Sequence, residues 1–216
     1  MKALSATSVS NPNTVFEFKQ LQYKIVKPYE SISVSDNRFS DSEVTTNNAL
    51  YYDAILQIVD KNYQEFKNRM LVEIKSSFVE SGMIYDYEIL YDSYIDQYGQ
   101  FVSALLLSRM LKEFFDNTQI AKGLLHLISH RPYNELGEMM AFQVMSAANH
   151  DDKRIKKFAL KVIDNWDSVD MLPLLKGTSA IREYWLNDYK NKIIQRLEAK
   201  KRDAVLRSSN QSRELA

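Results

Sequence analysis

DDKRIKKFALKVIDNW, residues 151–166, decides the fold. Ile155, Phe158, Ala159, Val162, Ile163 and Trp166 recur at steps of 3, 1, 3, 1 and 3, a rhythm that a helical period of about 3.6 residues gathers onto one face. Lys153, Arg154, Lys156, Lys157, Lys161 and Asp164 fill the opposite face. The segment is therefore an amphipathic helix, opened by Asp151 as N-cap, that must bury its stripe against neighbours.

Working outward, the same punctuation recurs. A helix from about Gln119 to Ser129 ends before His130-Arg131-Pro132, because a proline pushes the preceding residue out of helical backbone. A second runs from about Asn134 to Ala148. Downstream, Met171–Leu175 is a short helix whose Pro173 is tolerable only in the first turn. Gly177-Thr178-Ser179 stops it and caps a fifth, in which Ile181, Trp185, Tyr189, Ile193 and Leu197 recur every four residues. Upstream, Leu50, Ala54, Ile55, Ile58, Val59, Tyr63, Phe66, Met70, Leu71 and Ile74 make a long stripe with no Gly or Pro before Gly82, and a further run extends from Tyr85 to Phe115. The apolar part from Phe101 to Phe115 belongs at the centre of the core.

Nearer the start, Phe16, Phe18, Leu21, Tyr23 and Ile25 alternate with polar residues, the pattern of a short strand or extended arm, and Ser31–Asn48 has the polar composition of a linker. The expected organisation is thus an arm and linker over 1–48, a helical domain over 49–200 and a frayed polar tail over 201–216. The fold class is all-α: a multi-helix bundle or a short α-solenoid of antiparallel helix pairs, with a short extended or β N-terminal arm. Five Gly and four Pro in 216 residues suit long helices with short connections better than a chain of strands.

The stretch NHDDKRIKKFALKVIDNWDSVDMLPLLKGT, residues 149–178, resembles a HEAT-type helical repeat. The features that carry the resemblance are the turn at Asp151 and Asp152, the β-branched and basic pair Ile155-Lys156, the small residue Ala159, and the Leu-rich second helix Met171–Leu175. The helix that follows, to Leu197, is similar to the opening of another repeat or a cap, and the resemblance reaches back loosely to Gln119. No second copy at a fixed period is readable between Ala49 and Phe115. The resemblance implies a scaffold or binding surface. In a smaller group of the family it implies base repair through an aromatic and acidic cleft with a basic rim.

Composition excludes several chemistries. Without cysteine there is no disulfide framework, thiolate nucleophile or sulfur-ligated metal. No Gly-x-Ser-x-Gly elbow and no phosphate-binding loop occurs, so no catalytic residue and no cofactor is assigned, and an enzyme is the less favoured reading. The longest apolar run, Ala104–Leu107, is far too short to span a bilayer, and a cytoplasmic protein is expected. The 28 basic and 28 acidic residues cancel, yet residues 1–118 hold 11 against 16 and residues 119–216 hold 17 against 12. That dipole can steer a charged partner or draw two copies into a homo-oligomer.

Three constellations stand out. Glu88, Asp92 and Asp96 fall at four-residue steps, no Lys or Arg occurs between Lys75 and Arg109, and Tyr87, Tyr91, Tyr94 and Tyr98 run beside them. Tyrosine combines apolar area with a polar handle, so this acidic, aromatic stripe is the expected protein-partner site; half-buried packing is the plainer alternative. Lys153, Lys157, Lys192, Arg196 and Lys200 are the residues that would meet phosphate if the chain bound nucleic acid, although acidic residues interspersed among them favour a solvated face. His126 and His130 share a helix face at a spacing that can hold a metal. No third ligand is identifiable in the sequence, so no metal is assigned.

Overall fold

The computed structural model describes residues 41–77 and 83–214, which among themselves form eight helices and no strand. They are α1 (Asp41–Ser76), α2 (Asp86–Tyr98), α3 (Gln100–Glu113), α4 (Thr118–Ser129), α5 (Tyr133–Ala148), α6 (Lys153–Trp166), α7 (Met171–Lys176) and α8 (Tyr184–Glu214). The all-α expectation holds. The extended arm expected around Phe16–Ile25 lies outside the described residues.

The helices lie in two layers. In one, α1, α4, α6 and α8 succeed one another side by side; in the other, α3 packs on α5 and α5 on α7. The layers meet where α1 and α4 touch α3, α6 touches α5, and α8 touches α7, while α2 closes the first end against α1 and α3. Each amphipathic stripe thus finds a facing stripe, and the buried set runs continuously from Ile55 on α1 through Leu106, Leu124, Val144 and Ile163 to Leu197 on α8.

Side chains at both ends fix the register of α4 on α6. Thr118 Oγ1 donates to Asp152 Oδ2 at 2.6 Å at one end, and Asn165 Nδ2 donates to the Ser129 carbonyl at 3.0 Å at the other. First turn meets first turn and last meets last, so the two helices run parallel. In the same sense α8 follows α6, with Lys156 near Glu183 at the start and Arg196 bonded to Asp164 and Asp167 at the end.

Several boundaries differ from the sequence expectation for physical reasons. α1 begins at Asp41, inside the stretch read as a linker. The N-cap of α6 is Asp152, not Asp151, since the Asp152 carboxylate accepts from the Arg154 N–H at 2.8 Å. The fifth helix of the C-terminal part begins at Tyr184, after the turn at Gly177–Ser179. It continues past Lys200 to Glu214, and a Lys176–Glu198 ion pair ties it to α7.

The run from Tyr85 to Phe115 is two helices, broken at Gly99, whose backbone sits at φ 81° and ψ 163°. Only glycine occupies that region freely. A second glycine, Gly123, allows close approach: a Cβ there would lie 2.6 Å from Ile74 Cγ2, so the absence of a side chain lets α1 reach α4. Gly99→Ala is expected to cost about 1–3 kcal/mol in urea denaturation. Gly177→Ala, where the backbone is helical and the added methyl meets only ordinary contacts, is expected to leave stability unchanged or slightly raised.

Candidate functional site

The sequence DYEILYDSYIDQY of α2 carries four acidic residues and no basic one. Packing on α1 and α3 decides which half of that helix is seen from outside. Tyr87 and Tyr91 are fully buried, Tyr94 nearly so, and Glu88 turns inward with them, whereas Asp86, Ile89, Asp92 and Asp96 face solvent. Of the seven residues expected to contact a partner, Tyr87, Glu88, Tyr91 and Tyr94 are therefore interior. Tyr98 is half-buried, donating to Asn62 Oδ1 at 3.0 Å, and Asp92 and Asp96 alone are at the surface. The reason is area: a tyrosine ring buries far more apolar surface than the short acidic side chains, so the aromatic stripe takes the core side.

Glu88 is a buried carboxylate, 5 % exposed, and the fold surrounds it with partners from α4. His130 Nδ1 lies 2.8 Å from Oε2 and His126 Nδ1 3.7 Å from Oε1. The Tyr85 backbone N–H, at the N-cap of α2, donates to Oε1 at 3.2 Å. Around His126 the rings of Tyr85, Tyr87 and His130 stand edge-on at centroid distances of 5.3, 6.2 and 4.3 Å, and the Tyr87 hydroxyl is 3.0 Å from His126 Nδ1. Arg131 lies over the Tyr91 ring, pairs with Asp92 at 2.5 Å and reaches the Glu88 carbonyl. Sequence spacing had shown the histidine pair alone; Glu88, thirty-eight positions before His126, becomes the third member only when α2 is laid on the end of α4.

Outside this pocket, Met83, Ile84 and Ile89 are 52 %, 76 % and 64 % exposed. Ile84 and Ile89 occupy the positions before the N-cap and after the first turn at which a hydrophobic staple forms, yet both remain open to solvent. Asp86, Asp92 and Asp96 border them.

The basic residues of the last helices have other occupations. Arg196 bonds to Asp164 and Asp167, Lys200 to Asp167 at 2.6 Å and Lys192 to Asp188 at 2.8 Å, while Lys153 and Lys157 are exposed on α6. A phosphate backbone would compete with these carboxylates for Arg196, Lys200 and Lys192. Lys190, nominally part of the same face, is buried; its ammonium donates to the Ser179 carbonyl at 2.8 Å and holds the turn before α8. Burial lowers its pKa.

No protein-family model matches the chain, and neither does any curated protein or solved structure. No helix among the described residues is long and apolar enough to cross a membrane.

The inward tyrosines carry a pH signature. Burial, and then the charge of Glu88, pushes the Tyr87 phenol far above its ordinary 10.0; burial raises Tyr91 and Tyr94 as well. A raised acid keeps its proton in the folded chain while the unfolded chain releases it. Stability is therefore complete below the ordinary phenol range and falls as pH climbs past it. Alkaline titration followed at 295 nm should show these phenols ionising together with loss of helical circular dichroism, not before it.

Proposed function

We propose that the chain is a non-enzymatic helical interaction module, an adaptor, scaffold or inhibitor-like protein of the immunity type, that engages a protein partner through the outer face of α2. The observation that carries this reading is the cluster of Met83, Ile84 and Ile89 standing in solvent beside Asp86, Asp92 and Asp96. Protein interfaces commonly combine an apolar centre with a polar rim that sets orientation and choice of partner. The complementary surface is an apolar pocket edged by Lys or Arg. A negatively charged rim of this kind repels nucleic acid, which favours a protein over a phosphate backbone on this face.

The two-layer stack supports the same reading. It holds α2 at one end of a run of parallel helices, and each neighbouring pair contributes a buried stripe that keeps the end in place. An acidic helix on a rigid support loses little conformational freedom on binding, which favours affinity.

The test is a pull-down from the native host with three baits: wild type, Ile84→Asp with Ile89→Asp, and Asp86→Lys with Asp96→Lys. Glu88 and Asp92 are left intact because they hold the interior pocket and Arg131. All three baits should melt alike, and both variants should recover at least about tenfold less of the wild-type partner, the scale of one interface hot spot. Equal recovery by the three would remove α2 from the account.

A further inference from the structure

The ring nitrogens of His126 and His130 and the carboxylate of Glu88 offer ligand atoms that all lie within 4.8 Å of one another. The two Nδ1 atoms converge on the two oxygens of one carboxylate, at 3.7 and 2.8 Å. A cation with metal–ligand bonds of about 2.0–2.2 Å sets its ligands about 3–3.5 Å apart. The observed separations bracket that value, so an ion can enter with shifts well under the length of a bond.

We propose that Glu88, His126 and His130 bind one divalent d-block cation of the zinc class, with solvent completing the coordination. The donor set decides the class of ion. Two imidazoles with one carboxylate suit zinc, cobalt or ferrous iron, whereas calcium and magnesium are held by oxygens. Outside the three ligands, the Tyr85 N–H donates to Glu88 Oε1 and holds the carboxylate in place, while the Tyr87 hydroxyl, 3.0 Å from His126 Nδ1, gives up that nitrogen when the cation binds. Aromatic rings close the His126 side, and the His130 side chain, 25 % exposed, gives the ion its way in. His130 Nδ1 now donates to Glu88; on binding, that proton leaves to solvent and the cation takes its position. The ion would rivet the first turn of α2 to the last turn of α4. This rests on the interior pocket and not on the exposed face, and it is decided on the purified chain without any partner.

The experiment strips the protein with a chelator, titrates it with zinc chloride by calorimetry, and repeats the titration with cobalt(II), whose visible absorption reports coordination. Wild type should take up one ion per chain. His130→Ala, whose helical circular dichroism is checked first because the change removes a donor from Glu88, and Glu88→Gln should each bind at least tenfold more weakly. His150→Ala is the control, because His150 lies elsewhere, 3.1 Å from the exposed Asp116 carboxylate; it should bind as wild type does. Saturable 1:1 uptake lost in His130→Ala and kept in His150→Ala establishes the site. No saturable uptake by wild type, uptake undiminished in His130→Ala, or loss in His150→Ala overturns it.

Discussion

The last turn of a helix leaves carbonyl groups without partners inside the helix, and in this protein α6 bonds that of Ser129, the last residue of α4, and that of Arg131 just beyond it. Asn165 donates to the Ser129 carbonyl at 3.0 Å and the Trp166 indole N–H to the Arg131 carbonyl at 3.1 Å. At the opposite end the Asp152 carboxylate caps α6 and accepts from Thr118 of α4 in the same stroke. Hydrogen bonds from the Arg154 guanidinium, joined by that of Thr118, hold this carboxyl well below the usual carboxylate range. Two helices pinned at both ends can neither slide nor rotate, and every other helix takes its place from this pair: α1 meets α4 over Gly123, α8 lies along α6, and α5 covers α6 from the second layer.

The pocket at the end of α4 follows from that registration. His126 and His130 project from the last turns of α4 toward α2, and Glu88 answers from the first turn of α2. A carboxylate this deep is tolerable only because donors surround it; leaving it without them would cost several kcal/mol. Arg131 is kept from competing for that carboxylate by Asp92 and by the Tyr91 ring beneath it. The inner surface of α2, with Asp92 at its edge, is thus committed to holding the fold together, and its outer surface, with Ile89, Asp86 and Asp96, is free of that duty.

Helical periodicity made the individual helices readable. α6 has one apolar stripe and one basic stripe, and no orientation other than the observed one buries the first. α2 was harder, because its tyrosine stripe and its acidic stripe lie side by side and each contains residues that are stable in water. Period alone says which residues share a face, not which face turns inward; that was settled by α1 and α3, whose Phe66 meets Tyr94 edge-on at 4.9 Å. Glu88 could not be joined to the histidine pair for the same reason, its partners being about forty positions away. Gly99 was different: the signal was present, a lone glycine in a long helical run, and it marks the corner between α2 and α3. The continuation of α8 beyond Lys200 is not legible in the sequence because no apolar stripe extends past that point.

Trp166 gives this architecture a built-in optical reporter. Its indole is 6 % exposed, stands edge-on to Tyr133 at 5.4 Å and is hydrogen-bonded to the carbonyl of Arg131, one residue beyond His130. Trp185, the other tryptophan of the chain, is half exposed at the start of α8. The emission of the protein is therefore a sum of a blue, shielded component and a red, solvent-quenched one. A change in the junction of α2, α4 and α6 reaches the shielded component first, so the light emitted by one buried ring follows events at the Glu88 pocket while the other serves as its internal reference.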